Sequence, residues 1–387
     1  MREHFLLDPS VTFLNHGSFG ACPRPVFDAW QRWQLELERN PVEFLGRRSA
    51  ALLGTAREAL AAYVGAASDD LAFVPNATTG VNIVARSLAL QPGDEVLATD
   101  HEYGACETTF RRVCEARGAS YRTVAIPLPF EREDFADRLL AEVRPNTKLI
   151  FASHITSTTA LVFPLAELCR RARERGVLTL IDGAHAPGHI DLDLRALGAD
   201  FYTGNCHKWL CAPKGAGFLH VRPEHQDLID APVTSWGYTA EVSGHTGFDA
   251  YTGRTRLERR LLWQGTRDVT AWLTVPAAIE FQRAHDWAAV RARCHAMARA
   301  TLQRLCERFG LAPASTDDDF AQMAVMPVPH TDAEALRRRL FDESRIEIPV
   351  TQHGGRTFVR LSVQGYNTAD DIARLVDAPP LSRPWPT

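Results

Sequence analysis

The chain has 387 residues, 45% of them apolar and 23% charged, with a formal net charge of −4. That balance suits a globular chain of two or three structural units and excludes broad disorder, collagen-like repeats and coiled coil. The charges are interspersed, so no basic tail or stripe points to nucleic acid, and no apolar run approaches the roughly 18–20 residues of a membrane span.

The predicted elements follow in order. Residues 1–20 read as an irregular N-terminal arm. Helical spacing of Val26, Trp30, Trp33 and Leu37 predicts a helix over 25–39, and a second amphipathic helix covers 49–64. Apolar runs and helical patterns then alternate. Strands are expected at 71–74, 94–99, 121–126, 148–153, 177–182, 200–204 and 217–221. The intervening helices are expected at 80–90, 104–117, 131–143, 165–175 and 192–197. Such alternation predicts an α/β architecture with a largely parallel sheet. Residues 215–260, rich in Gly, Thr and Ser, read otherwise as an irregular stretch able to shape a roomy pocket. Long helices at 270–309 lead into a smaller α+β unit, with strands near 322–326 and 358–362 and helices at 332–342 and 368–377. The expected division is an arm at 1–20, a large domain at 21–270 and a small C-terminal domain at 271–387.

The start of the chain is too short and polar for a signal peptide. Eight scattered cysteines with no C-x-x-C pair predict reduced thiols in a cytoplasmic protein and no structural zinc. Of the 43 basic residues only Lys148, Lys208 and Lys214 are lysines. Chemistry that needs a neutral amine therefore has three candidates, because arginine stays protonated.

Ligands of α/β sheets sit beyond the carboxyl ends of the strands. The polar residues collected there are Asn76 to Gly80, Asp100 to Tyr103, Ser153 to Ser157, Asp182 to His185 and Asn205 to Lys208. Asn76 to Gly80 opens a helix, so its amides and the Thr78 and Thr79 hydroxyls suit a phosphate, or simply cap the helix. Asp182 can meet a metal, a histidine or a protonated ring nitrogen. Lys208, in an aromatic and glycine-rich stretch, has the setting of a reactive amine, whereas Lys148 and Lys214 read as loop residues. A phosphate cradle, a ring-stacking aromatic, a carboxylate and a lysine together fit pyridoxal 5′-phosphate.

The order of these motifs resembles fold-type I pyridoxal-phosphate enzymes of the class V aminotransferase family, in the isopenicillin N epimerase-like branch. The resemblance is carried by Phe13 to Pro23, Asn40 to Leu45, Ser153 to Ser157, Ile181 to Gly188 and Gly204 to Gly215. It implies a mostly parallel seven-stranded sheet with a smaller C-terminal α+β domain. It also implies a reaction at an amino acid Cα through an aldimine and a quinonoid. Lys208 would carry the cofactor, Asp182 would pair with its pyridine nitrogen, and His185 would reach its phenolic oxygen. Tyr103 would stack on the ring, and Thr78, Thr79, Ser157, Asn205 and His207 would complete the cofactor set. Thr266 would reach the phosphate of the other subunit of a homodimer. Arg360 would bind the substrate carboxylate, with Asn15 and His16 at the entrance.

Residues 349–359 contain no cysteine, which disfavours the persulfide route of cysteine desulfurases. Epimerase and carbon–sulfur lyase action remain favoured, with transamination as the alternative. An epimerase needs a second acid–base group opposite Lys208, for which Tyr103, His154 and His353 are candidates. A nucleotide-binding α/β protein would need a G-x-G-x-x-G or Walker lysine that the chain lacks. A non-catalytic binding module would not need the intact lysine, aspartate and arginine.

Overall fold

The computed structural model describes residues 1–243 and 249–382. Seven strands form the central sheet: β1 (Leu71–Val74), β2 (Glu95–Thr99), β3 (Ser120–Val124), β4 (Thr147–Ser153), β5 (Leu178–Gly183), β6 (Phe201–Asn205) and β7 (Gly217–Val221). Their order is β1-β7-β6-β5-β4-β2-β3, with every neighbouring pair parallel except those made by β7. Along β4 the alternation is strict: Ile150 and Ala152 join one buried cluster, Leu149 and Phe151 the other. Both faces are therefore covered, as a parallel sheet flanked by helices requires.

A second, antiparallel sheet is built from β8 (Met323–Val328), β9 (Val350–His353) and β10 (Arg356–Ser362), in the order β9-β10-β8. It packs on the long helix Trp287–Phe309, which also carries Cys294 and Cys306. Thr12–Phe13 pairs with Ile346–Glu347, so the arm runs along this smaller unit rather than hanging free.

Three expectations need correction. The helix at 131–143 is only Phe135–Ala141, because Arg132 is drawn away to Asp319 and the carbonyls of Val162 and Asp318. The stretch 215–260 is not irregular. Beyond β7 it holds helices Trp236–Ser243, Asp249–Thr252 and Arg256–Leu261, the last started by a Thr255–Glu258 capping box, while 244–248 lie outside the described residues. The arm contains a short helix, His16–Phe19. Its Gly20 has φ +70°, and a Cβ there would lie 2.0 Å from the His207 carbonyl oxygen. Glycine is required where the arm meets the backbone of His207 and Lys208.

Candidate active site

The carboxyl ends of β2, β4, β5 and β6 surround a cavity of about 410 Å³ whose walls include Lys208, Asp182, His185, Tyr103 and Arg360. A larger groove of about 610 Å³ between helices Arg24–Arg39, Ser49–Val64 and Val275–Ala284 is lined mainly by Ala, Leu, Trp and Pro, with no lysine, histidine or cysteine. The chemistry therefore belongs to the smaller cavity.

Lys208 lies just past β6, with its amine 3.1 Å from His185 Nε2. Burial, reinforced by the Arg360 charge, lowers its pKa from 10.5 to about 8. The His185 pKa falls well below its usual range, first through burial and then through Lys208. Asp182, on β5, is buried. One oxygen accepts from the Ala184 N–H at 2.9 Å, and the Cys106 thiol lies 3.5 Å from the other. Burial raises its pKa. A buried carboxyl with so few donors suits a protonated ring nitrogen.

Asn76 caps helix Ala77–Ser87 by accepting from the Thr79 N–H, and Asn205 accepts from the Ala77 N–H at 2.8 Å. Thr78 faces the cavity with Asn205 and His207. Thr79 does not line it, because its hydroxyl turns back onto the Asn76 side chain at 3.1 Å. A Cβ on Gly80 would lie 2.1 Å from the Thr203 hydroxyl, so glycine lets this helix sit directly on β6. His207 Nδ1 is 3.2 Å from the Ala216 carbonyl, which places its proton there, and burial lowers its pKa to about 4.

Arg360, on β10, is buried, and burial lowers its pKa to about 10. Its Nη2 donates to the Ser18 hydroxyl at 2.9 Å, and its Nη1 donates to the carbonyl and hydroxyl of Ser157. Its Nε is buried without a partner. No carboxylate neutralises it among the described residues. The group is preorganised for an anion.

Several expected roles change in this geometry. Asn15 does not line the cavity: it accepts from the Ser18 hydroxyl at 2.6 Å and donates to Glu347, so it acts on Arg360 through Ser18. His16 is not at an entrance either. It is fully buried, with Nδ1 on the Tyr366 hydroxyl and Nε2 on the Lys208 carbonyl at 3.1 Å. Ser157 lines the cavity, where it is engaged with Arg360. Thr266 lies away from this cavity, in a groove with Leu37, Glu38 and Asp268. The 215–260 stretch contributes only Gly215 to the walls among the described residues.

Of the second-base candidates, Tyr103 lines the cavity and is 46% exposed. His154 is buried against the Tyr202 hydroxyl at 3.0 Å. His353 lies tilted against His101, with ring centroids 3.8 Å apart, beside Asp100. These last three bring ligand-type atoms within 4.8 Å of one another. Both nitrogens of His101 are already occupied, by Thr159 and the Ile126 carbonyl, so the group reads as an interlock between β2 and the β9–β10 hairpin.

Four contributors escaped the sequence reading. Lys214 does line the cavity, its amine donating to the Gly20 carbonyl at 3.1 Å, and its rarity was the available signal. Ser18 lay inside the arm motif, and Trp209 adjoined Lys208. Glu102, inside the Asp100 to Tyr103 cluster, is a buried carboxyl bonded to Thr99 and Ser153 and raised by burial to about 8, and nothing in the sequence set it apart from its neighbours.

The model of the Aminotransferase class-V family matches residues 18–375. Isopenicillin N epimerase of Amycolatopsis lactamdurans is 41% identical over 384 residues, covering 97% of this chain and 96% of the relative. A putative L-cysteine desulfhydrase of Oryza sativa subsp. japonica is 30% identical, covering 96% of this chain and 83% of the relative. A solved C-DES mutant with glycine covalently linked to its PLP cofactor superposes with a TM-score of 0.81 at 23% identity, covering 97% of each chain.

Proposed function

The chain belongs to the aminotransferase class-V family and is a pyridoxal 5′-phosphate enzyme, and from that premise we propose that it inverts the configuration of an amino acid at Cα, in the manner of an isopenicillin N epimerase-like enzyme. The observation that carries this reading is the pairing, in one cavity, of the Lys208 amine with the Tyr103 phenol, while His154 and His353 lie outside it. Two acid–base groups are what inversion needs: one takes the Cα proton and the other returns a proton.

The residues present fit the cofactor. Lys208 would hold its aldehyde carbon, Asp182 its ring nitrogen and His185 its phenolic oxygen, with Thr78, Asn205 and His207 at its phosphate. When bound, the cofactor supplies an electron sink that acidifies Cα. Arg360 clamps the substrate carboxylate with its prepaid orientation on Ser18 and Ser157. With a pKa near 8, Lys208 is partly neutral at ordinary pH and can accept the Cα proton. Tyr103, open to solvent, can donate to Cα and recover its proton from water.

The 30% identity to a putative desulfhydrase supports carbon–sulfur lyase action as a second reading. Incubation with amino acids in heavy water separates the two. Deuterium at Cα with inverted configuration supports epimerisation. Release of pyruvate, ammonia or sulfide without inversion overturns it in favour of the lyase.

We further propose a homodimer in which Thr266 completes the partner's phosphate site, since it lies outside the cavity of its own chain. Mixing inactive Lys208→Ala and Thr266→Ala chains should restore one working site per mixed dimer. Eight free thiols among the described residues favour a reducing compartment such as the cytoplasm.

A further inference from the structure

We propose that Trp209 is a positioning residue: its indole N–H fixes His185 as the Nε2-protonated tautomer and so aims a hydrogen-bond donor at the Lys208 amine, which must accept it as a free base.

The indole nitrogen of tryptophan can only donate. Trp209 Nε1 lies 3.2 Å from His185 Nδ1, so Nδ1 presents a lone pair. The remaining proton of a neutral imidazole is then on Nε2, the atom 3.1 Å from Lys208 Nζ. An ammonium at Lys208 would set two donors against each other, whereas a free amine accepts.

The lock is rigid on every side. Trp209 is fully buried and stacks on His189, with ring centroids 3.8 Å apart and planes 11° from parallel. Its carbonyl accepts from Gln282 at 2.8 Å. His189 is itself fixed: Nε2 accepts from the Gln322 N–H at 2.8 Å, so Nδ1 donates to the His185 carbonyl at 3.0 Å. Thus the Trp209–His189 stack holds both the side chain and the backbone of His185. The charged or titratable groups facing this pair are Arg360, Asp182 and Cys106 around Lys208, and Arg360, His189 and His207 around His185. None of these supplies a donor to His185 Nδ1.

The inference rests on Lys208 as the reacting amine, not on which reaction follows. Its test therefore uses the cofactor-free enzyme and no substrate. Histidine-selective ¹⁵N labelling, with His185 assigned from a His185→Gln sample, should show Nδ1 bare and Nε2 protonated. In Trp209→Phe the Nδ1-protonated form should appear. The Lys208 ammonium then gains an acceptor, so reaction of Lys208 with an amine-directed reagent, read by peptide mapping, should need higher pH. Loss of one net hydrogen bond corresponds to about a tenfold lower reactive fraction at neutral pH. A proton on Nδ1 in the wild type overturns the proposal, and that measurement stands even if Trp209→Phe fails to fold. An unchanged tautomer and Lys208 profile in a folded Trp209→Phe also overturns it.

Discussion

Replacing Arg360 by glutamine separates two effects, the proposed carboxylate recognition and the influence of the same guanidinium on Lys208. The first is recognition. Among the described residues Arg360 has no carboxylate partner, and three oxygens of Ser18 and Ser157 hold it in place. Two charge-assisted bonds to a substrate carboxylate are together worth about 3–5 kcal/mol, or roughly 10²- to 5 × 10³-fold in kcat/KM. Arg360→Lys keeps the charge but loses the fork, and should fall between wild type and Arg360→Gln. The second effect is electrostatic. After burial, the Arg360 charge is the next cause of the lowered Lys208 pKa. Removing a positive neighbour favours the ammonium, so the Lys208 pKa rises from about 8 toward its ordinary value. The alkaline rise of Lys208 reactivity in cofactor-free enzyme should move to higher pH. The assay compares Cα proton exchange on an amino acid with exchange on the amine lacking its carboxylate. Recognition predicts a large loss on the first and a small one on the second. An equal loss on both, or less than about tenfold loss on the amino acid, refutes the carboxylate assignment.

Lys208→Ala should abolish the visible band of the lysine-bound cofactor, whereas Lys148→Ala, at an exposed ion pair with Asp94, should keep it. Lys214→Ala should also keep the band, since its amine is spent on the Gly20 carbonyl. Tyr103→Phe should retain Cα deuteration from heavy water on one face while inversion falls about 10²- to 10⁴-fold, the usual contribution of a positioned acid–base group. Equal loss of both signals would remove Tyr103 from the return step. Gly80→Ala should cost about 1–3 kcal/mol by overpacking against Thr203, read as a lower Tm. On acidification, His16 and His189 (each lowered to about 3) and His154 (to about 4) stay neutral in the fold while the unfolded chain takes up protons below about 6.5. Each withdraws about 1.4 kcal/mol per pH unit below that point, partly offset by Glu102, which holds its proton more tightly when folded. Denaturant midpoints that stay flat from pH 7 to pH 5 would contradict the buried neutral histidines.

The strand–helix alternation was legible because each buried strand is a short apolar run and each helix has its own spacing. The polar clusters at strand ends were legible for the same reason: Asp182 is the penultimate residue of β5, and Lys208 follows β6 after two residues. What escaped depends on long-range approach. Ser18 meets Arg360 across 342 positions, and His16 meets Tyr366 across 350. No periodicity encodes such pairs. Only the family resemblance placed His16 at an entrance, and nothing in its local sequence signals burial. The fold instead buries it beneath Lys208, with Nε2 3.1 Å from the lysine carbonyl. Helix Arg256–Leu261 was missed because its signal is the cap pair Thr255–Glu258 rather than an apolar stripe.

The residues proposed to hold the cofactor and the arginine proposed to hold the substrate carboxylate come from different parts of the chain. Asp182, His185, Asn205 and Lys208 sit on or just beyond adjacent parallel strands, where register fixes them against one another. Arg360 comes from the small antiparallel sheet and is oriented by Ser18 of the arm and Ser157 beyond β4. Its position thus depends on three segments meeting, and the arm is held by Glu347 through Asn15. A change at Asn15 should therefore move substrate affinity without touching cofactor uptake. Asn15→Ala removes the acceptor of the Ser18 hydroxyl, freeing that hydroxyl to rotate away from Arg360. The expected result is a raised KM with the visible cofactor band intact. Loss of the band instead would mean that the arm supports Lys208, through His16 and Gly20, more than it supports Arg360.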